Sequence, residues 1–193
     1  MSSRGSIRRP ARNSSQTRRT RGAPASGKLR VRSAVSRRFE IEFANQQKCL
    51  RIAASRIRRI VRHTLDAESI RRATISIVLV DNRAIHQLNR QHLNHDYETD
   101  VLSFLFATEA DPAVDAGPKP GPRAGDRYID GEIVISAEMA TQSAVGFGWS
   151  AARELELYLV HGLLHLCGYD DGTGTERRLM RRRERSILKL VGD

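Results

Sequence analysis

The stretch LYLVHGLLHLCGYDD, residues 157–171, predicts a buried helix that ends in a group of metal-binding side chains. His161 and His165 are four residues apart, so a helix places both imidazoles on one face, about 40° apart around its axis. Gly168 follows three residues later, where a helix ends in the left-handed conformation that glycine adopts most easily. The chain that turns back there brings Asp170 or Asp171 towards the two histidines.

These side chains favour a catalytic zinc site. Two imidazoles and one carboxylate leave a fourth tetrahedral position for water, whereas structural zinc sites use four protein ligands. The alternative is that both histidines are ordinary core residues, but an apolar helix would then need two separate hydrogen-bond partners for them. Cys167 points about 200° away from His165 around the helix, so we expect it to pack in the core.

The positive charge of the chain is concentrated at its beginning. The 193 residues carry a formal net charge of +11, yet residues 1–38 hold 12 of the 33 basic residues and none of the acidic ones. The remainder has 21 basic and 22 acidic residues and is close to neutral. Because residues 1–38 are rich in Arg, Ser and Gly, we predict a disordered basic tail. Its role as an RNA-binding arm, a transit peptide or a passive extension stays open.

The composition limits the cellular compartments in which the protein is expected. There is no apolar run long enough for a membrane span, and the beginning of the chain lacks the apolar stretch of a signal peptide. Two cysteines, Cys49 and Cys167, are too few for a disulfide framework. We therefore expect a cytoplasmic protein that does not contact a membrane, or a chloroplast or mitochondrial one if the tail is a transit peptide.

From Phe39 onward, strand and helix patterns interleave, which predicts a mixed α/β domain over residues 39–193. We expect a small mixed sheet of about four strands packed with helices. The predicted strands are FEIEFA (39–44), ATISIVLV (73–80), DVLSFLFA (100–107) and GEIVIS (131–136). Helices are predicted over 48–65, 82–91, 137–146, the histidine-bearing segment after Ser150 and about 175–190, with Asp81, Ser136 and Ser150 as N-caps. Residues 109–127 contain four of the six prolines and are predicted to be an exposed loop.

Three motifs resemble one known family. HGLLHLCGYDD is similar to H-G-x-L-H-L-x-G-Y-D-H, a signature of the YbeY family of metal-dependent endoribonucleases and rRNA maturation factors. LNRQHLNHDYETDVLSF (88–104) resembles the family segment L-N-x(6)-D-x-x-T-[DN]-V-L-S-F, and GEIVIS resembles G-D-I-V-I-S with Glu132 in place of Asp. The resemblance covers most of residues 88–171 and implies a single YbeY-like domain over 39–193.

The resemblance implies a hydrolase that cuts single-stranded RNA. Its expected tasks are 16S rRNA 3′-end maturation and ribosome quality control, and its expected partners are ribosomal RNA and the small ribosomal subunit. One zinc ion per chain would be held by His161, His165 and Asp171, and no catalytic group is assigned beyond the water on that metal. The family usually has histidine at position 171, so the carboxylate of Asp171 is expected to weaken the Lewis acid and to admit other divalent metals.

Roles are also expected of residues near the candidate ligands. Asp170 is expected to orient one ligand imidazole from behind, as carboxylates commonly do at metal sites. Thr99, Asp100 and Ser103 are expected to line the substrate cleft, although each is also an ordinary residue at the start of a strand. Many family members carry a phosphate-binding arginine where this chain has Leu93; the candidates to replace it are His92, His95 or a nearby arginine.

Two other functions stay open at this stage. The chain could be a non-catalytic ribosome-assembly factor that binds rRNA and keeps its metal for structure. It also resembles the metzincin peptidase pattern H-E-x-x-H-x-x-G-x-x-H, which suggests a zincin-like metal helix. Gly162 occupies the place of the glutamate that acts there as general base, so a zinc peptidase is disfavoured.

Arginines on two helices are candidates for RNA binding. They are Arg51, Arg56, Arg58, Arg59 and Arg62 on the first helix, and the run from Arg177 to Arg185 on the last. The alternative for each is a solvated helix face that neighbouring acids neutralise. The sequence does not determine the oligomeric state.

Overall fold

The structure, a computed structural model, describes residues 38–109, 122 and 128–192. The predicted tail (apart from Arg38) and nearly all of the predicted loop lie outside these residues. The elements are β1 (Phe39–Asn45), α1 (Ala54–Ala67), β2 (Ala73–Val80), α2 (Asn82–Leu93), β3 (Val101–Glu109), β4 (Tyr128–Ser136), α3 (Ala137–Phe147), α4 (Ala151–Leu166) and α5 (Gly174–Gly192).

The four strands form one mixed sheet in the order β1-β2-β4-β3. β1 pairs with β2 and β2 with β4 in parallel, whereas β3 runs antiparallel to β4. This confirms the predicted mixed α/β fold with four strands. No helix in the described part of the chain has the length and apolar character needed to cross a membrane.

The two faces of the sheet are covered unequally. Strand residues alternate between the faces: Ile75 and Ile77 of β2 lie in the main core with α1 and α4, whereas Val80 lies in a small cluster beneath α2. α3 and α5 pack against α4, and α5 also packs against α1 on the side away from the sheet. The metal-binding segment therefore sits on the thickly covered side, between the sheet and α5.

Gly162 allows α4 to lie directly on the sheet. A Cβ atom at this position would come within 2.9 Å of both Ile133 Cγ2 and Ser103 Oγ, closer than real Cβ contacts. The hydroxyl of Ser103 also donates a hydrogen bond to the Gly162 carbonyl at 3.3 Å. The close approach sets the depth of α4, and a glutamate at this position would collide with the sheet.

The predicted helix N-caps at three positions are confirmed. Asp81 accepts a hydrogen bond from the Ala84 amide, Ser136 from the Met139 amide, and Ser150 from the Arg153 amide. Each satisfies an amide that the first turn of a helix leaves without a partner.

Two predicted boundaries were wrong. α1 begins at Ala54 rather than at residue 48, because the Gln47 side chain bonds both the amide and the carbonyl of Leu50 and holds this segment as a turn. Arg38, assigned to the tail, belongs to the domain: its guanidinium bonds Asp66 at 2.6 Å and the Ile70 carbonyl at 2.7 Å.

We predict that Gly162→Ala destabilises the fold despite the higher helix propensity of alanine. The added methyl must displace Ile133 or lift α4, and overpacking of this kind costs about 1–3 kcal/mol. Urea denaturation followed by circular dichroism measures the free energy of unfolding.

Gly146→Ala is the matched control, because a Cβ at Gly146 on α3 meets no atom within 4 Å. That variant is expected to gain about 0.5–1 kcal/mol from helix propensity alone. Equal gains at both positions would contradict the role given to Gly162.

Candidate metal centre

The end of α4 turns the chain back as the glycine predicted. Gly168 has φ +86°, in the left-handed region. Its amide donates to the His165 carbonyl at 2.9 Å, and the Tyr169 amide donates to the Leu164 carbonyl at 3.0 Å. This pair of bonds is the Schellman arrangement, which satisfies the last carbonyls of a helix and reverses the chain. The reversal carries Asp171 back to the histidines.

The structure brings the three predicted ligands together. His161, His165 and Asp171 each offer one ligand atom, and these atoms lie within 4.8 Å of one another. The two Nε2 atoms are 3.0 Å apart, and His161 Nε2 lies 4.0 Å from Asp171 Oδ2. Nitrogen and oxygen ligands of tetrahedral zinc are about 3.3 Å apart, given bonds of about 2.0 Å. The three side chains therefore fit a small divalent cation.

The outer nitrogens of the imidazoles determine where the protons lie. His161 Nδ1 is 2.7 Å from the Glu184 carboxylate, and His165 Nδ1 is 3.0 Å from the Tyr169 carbonyl oxygen. Ionised carboxylates and carbonyls only accept hydrogen bonds, so each neutral imidazole carries its proton on Nδ1. Both Nε2 lone pairs then point at each other, and such a pair is stable only with a cation or a proton between them.

Electrostatics make the two imidazoles unequal. Burial lowers the pKa of His161, but the hydrogen bond and charge of Glu184, followed by the charges of Asp100 and Asp171, raise it above the usual value overall. At His165, burial and then the positive charge of His161 lower the pKa. His161 is therefore the position where protons compete with a metal, and metal affinity should fall as pH falls through its raised pKa.

Glu184 is the functional residue that the sequence analysis missed. It lies in the middle of α5, and its residue is only 8% exposed. The neighbouring Arg183 bonds the fully buried Glu68 and the Ala67 carbonyl, which ties α5 to the end of α1. The sequence did contain a signal: Glu184 falls on the apolar stripe of α5, four residues after Met180 and three before Ile187. An acid on a buried stripe needs a partner.

The role expected of Asp170 was wrong. Its Oδ1 atom accepts a hydrogen bond from the Asp171 amide at 2.7 Å, and the residue is exposed. Both Nδ1 atoms already have other acceptors, Glu184 and the Tyr169 carbonyl. Asp170 therefore stabilises the turn that carries Asp171, while Glu184 orients an imidazole.

The three predicted substrate residues lie beside α4. The Asp100 carboxylate accepts hydrogen bonds from Thr99 Oγ1 and from the Val101 amide, and its charge acts on His161. Ser103 uses its hydroxyl to bond the backbone of α4 at Gly162. Asp100 and Thr99 are thus near the candidate ligands, Ser103 has a structural contact, and contact with substrate stays a prediction for all three.

The candidates to replace the family arginine have contacts within the chain. His92 packs edge-on against Phe104, with ring centroids 5.5 Å apart. His95 stacks on Tyr97 at 5.2 Å, and its Nδ1 lies 3.1 Å from the tyrosine hydroxyl. Neither contact identifies a phosphate-binding group, so this replacement stays unassigned.

Comparison with known proteins gives a consistent result. The family described as endoribonuclease YbeY matches residues 42–192. The endoribonuclease YbeY of Salinibacter ruber is 37% identical over 138 residues, which cover 72% of this chain and 83% of that protein. That of Moorella thermoacetica is 40% identical over 139 residues, covering 72% and 86%.

A solved structure shares the fold. The solution structure of TM1509 from Thermotoga maritima matches with a TM-score of 0.50 and 20% identity, covering 78% of this chain and 88% of that one. At this level of identity, the likeness supports the fold alone.

We predict that Glu184→Gln weakens metal binding by about 10–100-fold, the usual cost of losing a carboxylate behind a ligand histidine. A glutamine no longer fixes the Nδ1 proton and does not make the imidazole more basic. Competition with a chromophoric chelator at constant pH measures the affinity.

Asp170→Asn is the control with the same carboxyl-to-amide change in a residue that contacts neither imidazole. It is expected to lose much less affinity. Equal losses in the two variants would contradict the assignment of Glu184.

Proposed function

The chain belongs to the YbeY family of endoribonucleases, and on that premise we propose that it hydrolyses single-stranded RNA at a metal centre formed by His161, His165 and Asp171. One observation carries the proposal: two Nε2 atoms lie 3.0 Å apart while both Nδ1 protons are engaged elsewhere. This arrangement suits a cation and does not suit two histidines that merely fill a core.

The protein's own groups prepare the site. Glu184 and the Tyr169 carbonyl hold the Nδ1 protons, so that both Nε2 atoms are free to coordinate. The Asp171 side chain is 46% exposed, which leaves the site open to an RNA strand on that side. When bound, zinc or another divalent ion supplies Lewis acidity at the phosphoryl group and activates water.

A peptidase reaction has no support in this geometry. The general base of metzincin peptidases would stand at Gly162, where the sheet leaves no room for a side chain. The substrate we propose is ribosomal RNA, with 16S rRNA 3′-end maturation and ribosome quality control as the task. The small ribosomal subunit is the proposed partner and the cytoplasm the proposed compartment, since that RNA is assembled there.

We predict that His165→Ala abolishes cleavage of a labelled single-stranded RNA while the fold is kept. The variant loses one of three ligands, and the two that remain hold a catalytic ion poorly. Gel analysis of the RNA, metal analysis of the protein and circular dichroism are the measurements. His63→Ala, which changes an exposed histidine on α1, is the control and should cleave like the wild type.

The outcome separates two functions. If the wild type holds one metal per chain and cuts nothing, the metal is structural and a non-catalytic rRNA-binding assembly factor replaces the nuclease. If His165→Ala cuts as well as the wild type, the metal centre has no part in cleavage.

We also predict that Asp171→His increases the preference for zinc over harder divalent metals. The change removes a negative charge and replaces an oxygen ligand by nitrogen. Metal analysis after growth in a mixed-metal medium, together with RNA cleavage rates, measures the effect. Identical metal content and identical rates would contradict a ligand role for position 171.

A further inference from the structure

A line of positive charge runs along the exposed side of α5. Arg178, Arg182, Arg185 and Lys189 are spaced by four, three and four residues, which places them within about 60° of arc on one helix face. All four are exposed. At about 1.5 Å per residue the line is about 16 Å long. We call these four residues the α5 basic ridge.

The charge of the α5 basic ridge is not neutralised within the described residues. Arg178 donates to the Thr175 hydroxyl and Arg185 to the Arg181 carbonyl, and no described carboxylate pairs with any of the four. The two acids of α5 are used elsewhere: Glu176 bonds the Thr173 amide, and Glu184 turns inward to His161. A solvated face with interspersed acids, the ordinary alternative, does not describe this surface.

Four acidic residues of the sheet lie in two adjacent rows. Glu40 and Asp130 stand in one row across the sheet, through Thr74, and Glu42 and Glu132 stand in the next, through Ser76. These rows lie on the sheet face turned away from α1 and α4. Because α5 packs on α1 and α4, these four carboxylates do not neutralise the α5 basic ridge.

The α5 basic ridge begins beside the candidate metal centre. α5 starts three residues after Asp171, and Arg177 in its first turn donates to the carbonyls of Asp171 and Gly172 at 2.9 and 3.0 Å. Glu184 of the same helix reaches His161, but it lies about 120° around the helix axis from Arg178, so only the N-terminal end of the ridge is near the metal centre. A strand that leaves the metal centre past the first turn of α5 can continue along the outer face of this helix.

We propose that the α5 basic ridge binds the phosphate backbone of the RNA strand next to the cleaved bond. Guanidinium groups match phosphate oxygens in a two-pronged geometry. The ridge has no aromatic side chain to stack on a base, so it holds the strand without reading its sequence. That the bound polyanion is RNA rests on the proposed function. The test below measures binding and does not depend on RNA cleavage.

The test is the salt dependence of RNA binding by the full chain. A variant with all four ridge residues changed to Gln is compared with the wild type by fluorescence anisotropy of a labelled single-stranded RNA, with a chelator present so that nothing is cut. Each lost phosphate contact lowers the slope of log K against log salt by about 0.7, so the ridge variant should lose about 3 in slope. Its affinity at about 0.1 M salt should fall at least about tenfold.

The matched control removes the same charge elsewhere. Lys48, Arg72, Arg83 and Arg153 are at least partly exposed and belong to neither set of candidate RNA-binding arginines. The carboxylates nearest to them are only in long contacts, Glu109 at 3.9 Å from Arg72 and Glu156 at 3.8 Å from Arg153. Changing these four to Gln should leave the slope close to that of the wild type. All three proteins keep residues 1–38, whose contribution cancels in the comparison.

Two results would overturn the proposal. One is a ridge variant whose slope and affinity equal those of the wild type, and the other is a control variant that loses as much as the ridge variant. A wild type that binds RNA through the ridge but never cleaves it would refute the nuclease proposal and leave this one standing.

Discussion

The close contact between α4 and the sheet at Gly162 is the constraint on which the site depends. With no side chain at this position, the helix backbone comes within reach of Ser103 and Ile133. One residue before it stands His161 and three after it His165, so the depth and rotation of α4 place both imidazoles. A glycine inside a helix costs about 1 kcal/mol in propensity, and here that cost is offset by packing.

Buried charge couples the metal centre to the outer helix. Glu184 and Arg183 are adjacent on α5 but face different partners: the first bonds His161 and the second bonds Glu68. Glu68 also accepts a hydrogen bond from Tyr169, whose phenol pKa is raised by burial and by the Glu68 charge. Breaking one such buried pair leaves an uncompensated charge, so α5 is held in the register that the metal centre requires.

The positions of the charged residues say more about the function of this protein than its net charge does. The formal +11 arises in the first 38 residues, and the rest of the chain is almost neutral. Within that rest, α5 carries Arg178, Arg182 and Arg185, which pair with no described carboxylate, while Glu40 and Glu42 lie on the sheet face turned away from α4. A net charge near zero therefore conceals a local concentration of positive charge on α5, and such a concentration attracts an RNA strand.

Features with a local origin could be predicted from the sequence by itself. Residues four apart share a helix face, glycine ends a helix, and alternation marks a strand, so the ligand pair, the turn at Gly168 and the four strands were all predicted. Only the tertiary structure decided which carboxylate accepts the hydrogen bond from Nδ1 of His161. His161 and Glu184 are 23 residues apart in the chain. They meet because α5 packs against α4, and no spacing rule describes the packing of two separate helices. The same reason explains the error at Asp170: nearness in sequence suggested a contact that the turn directs to the backbone instead.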